Sequence, residues 1–142
     1  MNATMKKFGD PGTRLREFEK WALLLRPEQV TLGALVLVCL EQATAFSMLS
    51  REAFTELREI TGQIERGLAR AFAYDKINYL MLMMVDLDVH FHVLPRYARS
   101  RSFAGREFHD HGWPGTPELR RVNVTDAEVN RAILTHLKAL WE

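Results

Sequence analysis

Between Ser50 and Phe72 the large apolar residues Phe54, Leu57, Ile64, Leu68 and Phe72 recur at intervals that are sums of three and four. That is the spacing of one stripe along an α-helix, and Ser50 carries the side-chain oxygen that caps a first turn. A helix with a single apolar stripe must lay it on another apolar layer, and the flanking segments read as sheet. Upstream, Trp21–Leu25 is apolar, Arg26-Pro27-Glu28-Gln29 can turn, and Thr31–Leu40 is again apolar and rich in β-branched residues, which together predict a hairpin. Downstream, Ile77–Val85 is almost wholly apolar, as a central strand covered on both faces would be, so its run Tyr79–Met84 reads as core. Asp86 interrupts it before a second extended segment, Leu87–Leu94.

The order strand, strand, helix, strand, strand predicts an α+β architecture: an antiparallel sheet of about five strands with a helix packed on one face. Gly105, Gly112, Pro114, Gly115 and Pro117 mark Tyr97–Asn123 as a long ordered loop or arm. Thr125-Asp126-Ala127-Glu128 matches a capping box, and Val129, Ile133, Leu137 and Leu140 follow at helical spacing to give a C-terminal helix. The first residues, with Gly9, Pro11 and Gly12, read as weakly ordered up to Thr13, with a short helix beginning after it, and suggest no function. A chain of 142 residues suits one domain, residues 1–142, with its core at about 21–113 and the last helix at about 125–141.

Charge and apolar content remove several classes of partner. Nineteen basic and 18 acidic residues leave a net charge of +1, too balanced for the broad basic surface of a nucleic-acid polymer binder. Arg96, Arg99, Arg101 and Arg106 cluster and could meet a small anion, although such arginines more commonly form a solvated face. The apolar stretches Leu32–Leu40 and Tyr79–Val85 fall short of the roughly 20 residues that span a bilayer. The N-terminus has no apolar run behind its lysines, so no secretion signal is read there. The single cysteine, Cys39, cannot form an internal disulfide and sits in an apolar run, which fits a protein of the reducing cytoplasm.

Chemistry concentrates in Asp88-Val89-His90-Phe91-His92-Val93-Leu94. The period of two along a strand puts Asp88, His90 and His92 on one face and Val89, Phe91 and Val93 on the other. Same-face neighbours stand about 6–7 Å apart, so two imidazoles can meet different atoms of one phosphate group. A neutral ring nitrogen can attack phosphorus while a protonated ring donates to its oxygens. The plainer reading of His-x-His on a strand is surface decoration, but here Pro95-Arg96 follows at once, an asparagine lies in the neighbouring strand, and a Gly-Trp-Pro-Gly loop comes after.

With those features the chain resembles the histidine triad family of nucleotide hydrolases and transferases, whose signature alternates three histidines with apolar residues and is commonly followed by Pro-Arg. The signature reads DVHFHVLPR here, and the resemblance covers roughly Trp21–Trp113, including the helix and the LGALVLV strand. It implies that His90 is the nucleophile that forms a covalent nucleotidyl intermediate and that His92 contacts the phosphate. Asn78 lies where a family asparagine approaches the phosphate. Arg96, Asp88 and Trp113, whose ring could stack on a base or simply pack, complete the candidate substrate contacts. The first triad histidine is replaced by Asp88, and Ala34 stands where many members have a histidine early in the second strand. Asp88 could fix an imidazole tautomer, or repel a phosphate if it pointed inward.

The expected activity is metal-independent, cofactor-free hydrolysis of a nucleoside phosphate linkage, such as a dinucleoside polyphosphate or a nucleoside phosphoramidate. By resemblance the protein is a homodimer. Two alternatives stay open: a non-catalytic nucleotide binder, and a metal site built from Asp88, His90, His92, His109 and His111.

Overall fold

The computed structural model describes residues 2–141. In chain order these form α1 (Ala3–Lys7), β1 (Arg14–Glu17), β2 (Trp21–Leu25), β3 (Leu35–Cys39), α2 (Arg51–Phe72), β4 (Lys76–Leu80), β5 (His90–Arg96), β6 (Arg101–Phe103), β7 (Arg106–Phe108) and α3 (Ala127–Leu140). Five strands make one antiparallel sheet in the order β1-β2-β3-β5-β4, and β6 with β7 make a separate hairpin. The α+β architecture read from the sequence is the one found.

The stripe on α2 does what its spacing requires. Ser50 Oγ accepts from the amide of Ala53 at 3.1 Å, and Ile60, Ile64, Leu68 and Phe72 are buried. They pack with Trp21, Leu23 and Leu25 of β2, Leu35 and Leu37 of β3, and Val93 of β5. Each such aliphatic side chain contributes about 1.5–3 kcal/mol on leaving water. At Gly33, where φ is +85°, the backbone comes so close to α2 that a Cβ would lie 2.9 Å from the Phe72 ring. The β2–β3 connection is held from inside by fully buried Gln29, which donates to the carbonyls of Arg26 at 2.7 Å and Ala34 at 3.0 Å and accepts from the amide of Gly33. Helix α3 adds Val129, Ile133 and Leu137 to the same core.

Several expectations are corrected. Ile77–Val85 is not a central strand. Strand β4 stops at Leu80 and forms the sheet edge, while β5 is the inner strand between β3 and β4. The apolar run beyond it is core only in part: Met81 and Met83 pack against the core, but Met84 and Val85 are 83% and 82% exposed, and Leu82 and Leu87 are exposed as well. A long apolar run signals a strand buried on both faces only when neighbours flank it, and this one has a partner on one side only. The N-terminal residues are ordered: α1 buries Thr4 and Met5, Phe8 is buried after it, and a strand rather than a helix follows Thr13. Asp126, not Thr125, caps α3, accepting from the amide of Val129 at 2.9 Å. The predicted arm Tyr97–Asn123 includes the β6–β7 hairpin, and Asn123 ties its end to the carbonyls of Gln29 and His109. Among the described residues no helix is long and apolar enough to cross a membrane.

Candidate active site

The face of the sheet opposite α2 carries the two histidines. Register fixes them there: His90 is opposite Val38 and His92 opposite Val36, and these valines cluster with Ala22, Leu24, Met5 and Phe8. The intervening Phe91 points to the other side, where it meets Trp21 and Phe46. The alternation read from the sequence therefore holds. The two imidazoles stand edge to face with centroids 5.1 Å apart, and they are 1% and 8% exposed.

Nδ1 of His90 lies 2.6 Å from the backbone carbonyl of Asp88. A carbonyl oxygen can only accept, so Nδ1 carries a proton, and in the neutral ring the lone pair lies on Nε2. The tautomer is thus fixed at residue 88, by its main chain rather than its carboxylate. That carboxylate turns away to Thr4 of α1, accepting from the amide at 3.2 Å and from Oγ1 at 2.9 Å. Lys7 pairs with Asp86 at 2.9 Å, and Asn2 donates to the carbonyl of Cys39 at 3.0 Å, so three contacts dock α1 onto the histidine face. Phe8 completes the cover, its ring 5.9 Å from that of His92.

Burial pushes His92 down to a pKa of about 4, helped by the positive charge of Arg26 and by His90. His92 is therefore a neutral imidazole at pH 7. Between pH 6.5 and about 4 the unfolded chain takes up a proton that the folded chain refuses. The stability that His92 gives the fold is complete above that window and declines as the pH falls through it, by at most about 3 kcal/mol. Urea unfolding compared at pH 7 and pH 4.5 should show the loss, and an NMR titration should find the His92 ring neutral at pH 5.5. Titration near the ordinary histidine value would mean that water reaches the ring freely.

Asn78, Arg96 and Trp113 form a second group, along β4, lining a cavity of about 740 Å³ with Lys76, Leu80 and Pro114. Arg96 is buried and paired: Nε and Nη2 donate to Asp110 at 2.7 and 3.1 Å, Nη1 to Asn78 Oδ1 at 2.7 Å, and Nη2 also to the Gly115 carbonyl at 2.9 Å. Its charge is already balanced. Of the other clustered arginines, Arg101 holds the C-terminal carbonyls of Phe72 and Ala73, and Arg106 pairs with Asp126. Asp88 thus stands beside the histidines with its carboxylate turned to α1, while Asn78, Arg96 and Trp113 gather along the sheet edge. The two His-x-His pairs do not combine, since no group of three or more His, Cys, Asp or Glu among the described residues is placed to hold a metal.

Sequence reading passed over Thr4 and Phe8, whose segment has neither strong periodicity nor chemistry, and Arg26, which it assigned to a turn. Arg26 was accessible: it continues the alternation of Ala22 and Leu24 onto the histidine face.

Solved structures of histidine triad proteins share this fold over nearly the whole chain. A histidine triad protein from Sinorhizobium meliloti is similar with a TM-score of 0.77 and 18% identity, over 99% of this chain and 95% of that one. A hypothetical histidine triad nucleotide-binding protein from Sulfolobus tokodaii is similar at 0.69 and 16%, over 96% and 87%. The diadenosine triphosphate hydrolase of Plasmodium falciparum, solved with cyclomarin A, is similar at 0.67 and 10%, over 92% and 76%. No protein-family model and no curated protein matches the chain. The fold is that of the histidine triad proteins.

Proposed function

We propose that the protein is a nucleotide-binding hydrolase of the histidine triad type, acting on a nucleoside phosphate linkage in a dinucleoside polyphosphate or a nucleoside phosphoramidate. The observation that carries this reading is the hydrogen bond from His90 Nδ1 to the Asp88 carbonyl, which in the neutral ring puts the lone pair on Nε2, beside a second imidazole. Nε2 attacks the α-phosphorus, the bond from phosphorus to the leaving group breaks with its electron pair going to that group, and a nucleotidyl-histidine results. Water then attacks the same phosphorus, breaks the P–N bond, releases the nucleoside monophosphate and returns the neutral imidazole. His92, neutral and adjacent, is placed to donate a hydrogen bond to a phosphoryl oxygen. Diversion of the Asp88 carboxylate to Thr4 removes the repulsion that an inward-pointing charge would exert on the substrate. The test is hydrolysis of diadenosine tetraphosphate, diadenosine triphosphate and an adenosine phosphoramidate, with chelator present.

A second reading, a nucleotide binder without turnover, is favoured by the burial of both imidazoles beneath α1 and Phe8. Adenosine monophosphate binding without hydrolysis of any of the three compounds would establish it.

We further propose a homodimer joined along β4. That strand is a sheet edge, and the exposed Leu82, Met84, Val85 and Leu87 continue from it as an apolar patch. Sedimentation should report twice the chain mass, and the double substitution Met84→Asp, Val85→Asp should give monomers with an unchanged circular dichroism spectrum. A wild-type monomer at high micromolar concentration overturns the dimer.

A further inference from the structure

Arg26 lies one residue past the end of β2, but its amide still donates to the Ala34 carbonyl at 2.9 Å, so the ladder runs on through it. Its side chain therefore falls on the face of Ala22 and Leu24, which is the face of His90 and His92. The cross-strand row Leu24, Val36, His92 is followed by the row Arg26, Ala34, Leu94, one step of about 6–7 Å along the strands. Ala34 is small and leaves room above the sheet for the guanidinium. The guanidinium carbon lies 6.0 Å from the Phe8 ring centroid, and that ring packs against His92. The proximity is electrostatic too, since the positive charge of Arg26 opposes protonation of His92.

What distinguishes Arg26 is that the one carboxylate acting on it, that of Glu28, forms no direct ion pair with it. Nη1 donates to the Glu28 carbonyl at 2.8 Å, Nε is shielded from water without a hydrogen-bond partner, and among the described residues no carboxylate forms an ion pair with it. Burial draws its pKa below the ordinary arginine value. A part-buried cation with one neutral hydrogen-bond acceptor and no direct ion pair is stabilised by an anion that reaches it. The α-phosphate is the group that His90 and His92 would engage, which leaves Arg26 for a negative group one phosphate further on.

We propose that Arg26 is a specificity-determining residue that holds the phosphate next to the attacked one, so that the substrates are nucleoside diphosphates, polyphosphates and dinucleoside polyphosphates rather than phosphoramidates with an uncharged amine as leaving group. This rests on the reading of His90 as the residue that meets the α-phosphate. The experiment is calorimetric titration of wild type, Arg26→Gln and Arg26→Lys with AMP, α,β-methylene-ADP and inorganic pyrophosphate, after matching their thermal melts. Wild type should prefer α,β-methylene-ADP over AMP by about 10- to 100-fold, the size expected of a charged hydrogen bond. Arg26→Gln should erase that preference while AMP affinity stays the same, and Arg26→Lys should keep part of it. Equal affinities for the two nucleotides in wild type, or an equal loss of both in Arg26→Gln, overturns the assignment. Pyrophosphate separates the two ideas. If wild type binds pyrophosphate but neither nucleotide, and Arg26→Gln abolishes that binding, Arg26 keeps its anion and the nucleotide reading falls. If wild type binds none of the three, both fall.

Discussion

If His90 is the nucleophile proposed above, His90→Asn should abolish hydrolysis of each compound in the panel that the wild type turns over, with kcat reduced by roughly three orders of magnitude or more. The variant still folds, because the asparagine amide can donate to the Asp88 carbonyl much as Nδ1 does and fills most of a site that is only 1% exposed. No other nucleophile stands in the same position: His92 is one strand repeat away, with a ring centroid 5.1 Å from that of His90. Quenching the reaction in acid-free denaturant should trap a nucleotidyl adduct on wild type and none on the variant. Turnover by His90→Asn at more than a few per cent of the wild-type rate would assign the chemistry elsewhere and end the histidine triad reading of the mechanism.

Asp110→Ala, by contrast, damages the fold. Its side chain is 1% exposed and that of Arg96 5% exposed, so the substitution leaves a guanidinium in the interior facing no charge. The carboxylate also accepts from the amides of Tyr97 at 3.1 Å and Gly112 at 3.3 Å, so it fastens the start of the arm and the Gly-Trp-Pro-Gly loop to the end of β5. Removing one member of a buried pair costs about 3–5 kcal/mol. For a chain of this size that lowers Tm by on the order of 10 °C or more. Asp110→Asn keeps an acceptor and should lose less. If Asp110→Ala unfolds in urea at the wild-type midpoint, Arg96 is not held by this pair, and it becomes available to a ligand in the cavity along β4.

The sequence made the histidine pair legible because a period of two needs only seven residues, and Phe91 between the histidines had to face the core. Helix α2 was legible for the same reason on a longer period. The edge position of β4 was not, since Ile77–Val85 is as apolar as an inner strand and only the pairing order reveals that one side is open. Nor was the part played by residue 88: the choice between an inward and an outward carboxylate depends on Thr4, a residue 84 positions away. Arg26 was passed over because Pro27 and Glu28 make the tetrapeptide look like a turn, although the ladder runs one residue further, to Arg26.

The hydrogen bonds between Asp88 and Thr4 couple the two positions energetically. A histidine at position 88 would leave the buried Thr4 hydroxyl and amide without their carboxylate acceptor, and an apolar residue at position 4 would leave the Asp88 carboxylate with the backbone amide alone. Neither change is neutral alone. Residue 88 and the N-terminal helix therefore change together or at a cost in stability.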